Sequence, residues 1–155
     1  MQLVQSITRY TCALACLESY SRDIGLFFTQ SDLMKYHPTL CLDPANTHQV
    51  GATSLNQFLQ LCGSLALNPQ AQTYLDFAQI EPVLKGIGKN QAVLFSVVNY
   101  RNSGCAHMVR FDSIVNGQKL RVMCPYFGAA SLDEIDWQDL VTGNVTTVVL
   151  TRNPF

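Results

Sequence analysis

The sequence predicts an α+β domain, with helices gathered in its first half and antiparallel strands in its second. Three observations predict it. Apolar segments with helical spacing and capping patterns fill the chain up to about residue 86. A continuous β-prone run, AVLFSVV (92–98), follows them. Asn116-Gly117, the strongest short hairpin signal, then separates two further β-prone runs. At 155 residues, 48% hydrophobic and only 14% charged, the chain is long and apolar enough for one core. No repeat or linker divides it, so residues 1–155 read as a single domain.

The elements follow in order. In TRYTCALACLESYSRD (8–23), Ala13, Leu14, Cys16, Leu17 and Tyr20 leave little polar face, so this helix is expected to be buried nearly all round. Thr11 stands where an N-cap belongs, which puts Cys12 in the first turn. Residues 31–36 suit a short second helix, and the polar stretch 38–53 a loop. Ser54 and Gln57 form a capping-box pattern for a third helix, with Gly63 as its stop. A fourth follows Asp76, with Pro82 near its first turn and Gly86 near its end. Residues 92–98 predict a central strand, and 107–115 with 118–123 a hairpin. Ser131-Leu-Asp-Glu134 reads as the capping box of a last helix carrying Ile135, Trp137 and Leu140. Residues 146–151 supply a final strand.

Charge and composition narrow the function. A net charge of −1 and no basic run argue against nucleic acid and anionic membrane as partners. The longest apolar run is too short to cross a bilayer, and MQLVQSITRY lacks the apolar run of a secretory signal. The six cysteines contain no C-x-x-C pair, so a structural zinc is not expected, and the thiols read as reduced; no cofactor is expected.

The residues that could carry chemistry lie far apart. Cys12 begins a helix, where unpaired N–H groups and the macrodipole favour a thiolate. Core filling is the ordinary alternative for a lone cysteine. His107 opens a hairpin strand, whose rigid end could hold an imidazole against that thiol as a Cys–His dyad. Gln5, upstream of Cys12, could offer its amide with the Cys12 N–H as an oxyanion hole. His37 and His48 fall in loops without partner spacing, and Asp43-Pro44 reads as a turn. Asp112 alternates to the face opposite His107. Tyr126 and Phe127 suit either a substrate groove or packing beneath the last helix.

Taken in order, QSITRYTCALACL, GATSLNQFLQLCGSLAL, AHMVRF and the strand ending at Cys124-Pro125 resemble papain-like cysteine peptidases. The similarity is greatest to the family that cleaves double-glycine leaders from bacteriocin precursors and to its free-standing relatives. It runs through most of the chain. The resemblance implies a papain-like fold with Gln5 as oxyanion donor, Cys12 as nucleophile and His107 as general base. It also implies a peptide or protein substrate and a link to an ABC exporter or secretion system. The setting it implies is the cytoplasmic side of a bacterial cell, or non-classical secretion if the protein is an effector.

Three positions depart from the family's pattern. Cys124-Pro125 stands where the family has Asp-Pro, or Asn in papain itself, and a thiol accepts only a weak hydrogen bond. Gln5 precedes Cys12 by seven positions rather than six, with Ser6 in the usual place. Ala13 replaces the glycine that often follows the nucleophile. Two function classes therefore stand side by side. One is a thiol hydrolase, whose machinery a deamidase, transglutaminase-like enzyme or acyltransferase would share. The other is a peptidase-like module that binds a peptide or leader without cutting it.

Overall fold

A computed structural model describes residues 1–41, 51 and 53–153. Among these, the helices are α1 (Cys12–Asp23), α2 (Gln30–Tyr36), α3 (Leu55–Ser64), α4 (Phe77–Lys85) and α5 (Trp137–Thr142). The strands are β1 (Gln70–Gln72), β2 (Gln91–Val97), β3 (His107–Asn116), β4 (Lys119–Tyr126), β5 (Ala129–Asp136) and β6 (Val145–Thr151). The strands form one sheet in the order β1-β6-β2-β3-β4-β5, antiparallel at every pairing.

Strand alternation splits the core into two layers. Ala92, Leu94, Met108, Met123, Val148 and Leu150 face one side and pack with Leu14, Leu17 and Tyr20 of α1, Leu33 of α2, and Phe58 and Leu61 of α3. Val93, Phe95, Val109, Phe111, Val122 and Cys124 face the other, against Phe77 and Ile80 of α4 and Trp137 and Leu140 of α5. Helices thus cover both faces, which explains why β2 reads as an unbroken apolar run. The expected α+β architecture, with N-terminal helices on an antiparallel sheet, is what the chain adopts.

Local signals succeed or fail for identifiable reasons. The Ser54–Gln57 capping box forms with both reciprocal bonds. Thr29 and Asp32 make a second one at α2. Helix α1 is buried from Ala13 through Ser21, as its apolar circumference requires. Thr11 does occupy its N-cap position, but its hydroxyl makes no cap bond and exchanges hydrogen bonds with Thr8 instead.

Other expectations are corrected. Gly63 does not stop α3, which runs to Ser64 and is capped at Leu65. Pro82 lies inside α4 rather than in its first turn. The largest correction concerns residues 131–136. Instead of opening a helix they belong to β5, which pairs with β4 from Tyr126↔Ala129 to Lys119↔Asp136. Gly128, at φ 102°, makes the reversal between the two strands. The ladder bonds of a whole strand outweigh a four-residue capping pattern, and α5 begins only at Trp137. The short β1 gave no sequence signal because all three of its residues are exposed. Most of the 38–53 loop, with Asp43-Pro44 and His48, lies outside the described residues.

Candidate active site

Cys12 is the first residue of α1 and only partly buried, whereas Cys16, one turn on, is fully enclosed. Backbone N–H groups of Met108, Ala13 and Cys12 itself point at the Cys12 sulfur and favour its thiolate. Burial outweighs them, so the thiol's proton affinity is raised.

The Met108 contact places the sulfur at the beginning of β3. Met108 turns its side chain towards α1. His107, the neighbouring residue and the first of its strand, stands at the sheet's end.

The imidazole has a definite partner. His107 Nε2 lies 3.1 Å from Cys124 Sγ across the β3–β4 pair. The ring therefore bonds to the thiol occupying the position where the resemblance calls for Asp or Asn. Tyr100 covers the imidazole, with ring centroids 5.0 Å apart. Burial lowers the His107 pKa to about 4, opposed by the charge of Asp133. Burial likewise pushes the Cys124 thiol up to about 12, with the Asp133 charge adding to it and Arg101 opposing; the neighbouring Cys12 and a hydrogen bond to Asp133 raise it further. Cys124 thus rests as a thiol beside a neutral imidazole, and Cys12 as a thiol at the start of α1.

The entry segment is fixed from behind. Gln30, 1% exposed, donates through Nε2 to the Gln5 carbonyl at 2.9 Å and accepts the Ile7 N–H at 3.1 Å. Its own N–H donates to Glu18 of α1. Ser6 is buried and its hydroxyl donates to the Pro125 carbonyl, next to Cys124. With Ser6 turned inward, the Gln5 side chain is exposed. Gln30 went unnoticed in the sequence, and the buried bond of Ser6 was not foreseen, because their contacts are backbone groups 25 and 119 positions away.

The remaining candidates separate cleanly. Tyr126 and Phe127 are exposed, 65% and 44%, so they do not pack beneath α5. Cys105 lies exposed in the turn before β3, and His37 ends α2. No group of three or more His, Cys, Asp or Glu side chains among the described residues could hold a metal ion.

No protein-family profile matches this sequence, and no curated protein matches it significantly. A solved structure does. The peptidase domain of Streptococcus ComA, a bi-functional ABC transporter involved in a quorum sensing pathway, superimposes with a TM-score of 0.72. The match covers 98% of each chain at 10% sequence identity. The chain has the fold of that peptidase domain. At that identity the likeness speaks for the fold alone. No helix among the described residues is long and apolar enough to cross a membrane.

Proposed function

We propose that this protein is a cysteine peptidase that cleaves a peptide or protein amide through Cys12 and His107. The observation carrying this reading is the shared end of β3, where the Cys12 sulfur meets the Met108 N–H and His107 is held by Cys124. With Nε2 engaged, Nδ1 is the nitrogen left to receive the Cys12 proton. Because both groups rest uncharged, the proton moves to imidazole as sulfur attacks the carbonyl carbon. The tetrahedral oxyanion would be met by the Cys12 N–H and the Gln5 amide. Its collapse breaks the C–N bond, and imidazolium returns the proton to the leaving amine. Water, deprotonated by His107, then hydrolyses the thioester and releases the acid and the free thiol.

We further propose a leader peptide as substrate, on the cytoplasmic side of a bacterial membrane; the fold is shared with the peptidase domain of a bi-functional ABC transporter. Incubation with a peptide carrying a double-glycine leader is expected to yield two fragments and, on rapid quenching, an acyl-protein adduct on Cys12. The Cys12→Ala protein should keep its fold and lose both products. Undiminished cleavage by that variant would end the reading. A second reading, leader binding without cleavage, is favoured by the thiol at Cys124 and by the uncharged resting pair. It predicts equal leader affinity for wild type and Cys12→Ala, with no adduct in either.

A further inference from the structure

The strand next to Cys124 carries a carboxylate, Asp133. In the β4–β5 ladder Cys124 is opposite Ser131, and Val122 is opposite Asp133. Cys124, Ser131 and Asp133 therefore project from the same face of the sheet, with Asp133 diagonal to Cys124. Asp133 is fixed there. Its Oδ1 accepts the Ser131 hydroxyl at 2.8 Å, and its other oxygen lies 4.0 Å from Arg101. Arg101 is itself held by the Glu134 carbonyl at 2.7 Å and lies over the Tyr100 ring that covers His107.

A thiol has one proton to give and a sulfur that accepts weakly. Left alone, Cys124 could donate to His107 Nε2 and leave the proton on Nδ1, the wrong tautomer for a base facing Cys12. We propose that Asp133 is a positioning residue: it takes the Cys124 S–H, turns the sulfur lone pairs towards His107, and so keeps the ring proton on Nε2. The chain runs His107 Nε2–H to Cys124 Sγ, then Cys124 S–H to the Asp133 carboxylate. No proton transfers along it. The Asp133 charge also opposes burial in setting the proton affinity of His107. The role assigned to Asp133 rests on His107 being the base of the proposed peptidase, but its test reads the imidazole directly.

The experiment is nitrogen-resolved NMR of the histidine rings at neutral pH, with His107 assigned by its loss in His107→Gln. Wild type is expected to show the Nε2–H tautomer predominantly. Asp133→Asn and Asp133→Ser should each raise the Nδ1–H share several-fold, and Asp133→Glu should restore part of the wild-type ratio. In a Cys124→Ala background, Asp133→Asn should leave the tautomer ratio unmoved, since the intermediary is gone. Asp133 is on an edge strand with its side chain 30% exposed, so the fold should survive these changes. An unchanged tautomer ratio in both folded Asp133 variants would overturn the proposal. So would an equal response with and without the Cys124 thiol. If the tautomer responds as described but no variant or wild type cleaves any peptide, the positioning role stands and the peptidase reading fails.

Discussion

His107 carries a consequence for pH at the scale of one side chain. Its pKa falls from 6.5 to about 4 on folding, chiefly because burial disfavours the charged ring. Between those values the unfolded chain binds more protons than the folded one, so stability rises with pH and is lost as pH falls from about 6.5 towards 4. The loss attributable to this ring is at most about 3 kcal/mol. Urea denaturation at pH 7 and pH 4.5 should show it, and His107→Gln should flatten that part of the profile. Catalysis should follow the same group. A base that must be neutral fails only below its own pKa, so the acid limb of kcat/KM is expected near pH 4 rather than near 6.5. A limb at 6.5 would mean a solvated ring, contrary to its cover by Tyr100. At this scale the sequence was informative about residue types and silent about partners. Cys12 and His107 announced themselves through a helix start and a strand start. Asp133 did not, because a diagonal contact across β4 and β5 depends on a register that the S-L-D-E pattern concealed.

The elements position the site through two devices. Gln30, at the start of α2, ties residues 5–7 to α1 with one buried and two partly buried hydrogen bonds. Gln30→Ala would strand a carbonyl and an N–H, at a cost of about 1–3 kcal/mol in chemical denaturation. Because the segment it holds carries Gln5, the same variant is expected to lower kcat several-fold, even in conditions where the protein stays folded. The second device is the turn between α5 and β6. A Cβ at Gly143 would lie 2.4 Å from the Asn99 carbonyl oxygen and 2.8 Å from Val97 Cγ1. That carbonyl belongs to the segment joining β2 to the Tyr100 turn, which Gly143 and Asn144 hydrogen-bond from behind. Gly143→Ala should therefore push this segment away at a cost of about 1–3 kcal/mol and loosen the cover over His107. A melting temperature equal to wild type would contradict the tight approach. Helices with reciprocal caps and strands around Asn116-Gly117 were legible because their signals are local. Strand β5 was not, since its stability comes from an eight-residue pairing with β4 rather than from its own sequence.

Across the whole molecule the six thiols sort by depth, which makes cysteine chemistry a readout of the fold. All six are free; Cys105 is exposed, Cys12 intermediate, and Cys16, Cys41, Cys62 and Cys124 buried. Burial also raises the proton affinity of these four, Cys41 to about 11, so depth and protonation act together against reaction. A maleimide-type reagent at pH 7 should label Cys105 first. Cys12 should follow more slowly, because its thiol is reachable yet held protonated. The other four should react only as fast as the sheet and its covering helices open, a rate that denaturant would raise and added salt would not. Peptide mapping by mass spectrometry separates the three classes. Early labelling of Cys124 would be the informative failure. It is in the layer beneath α4 and α5, and its reaction would mean that this layer opens independently of the one packed on α1. His107 would then lose its partner in a molecule otherwise folded, and the two helical layers would act as separate cooperative units joined by a single sheet.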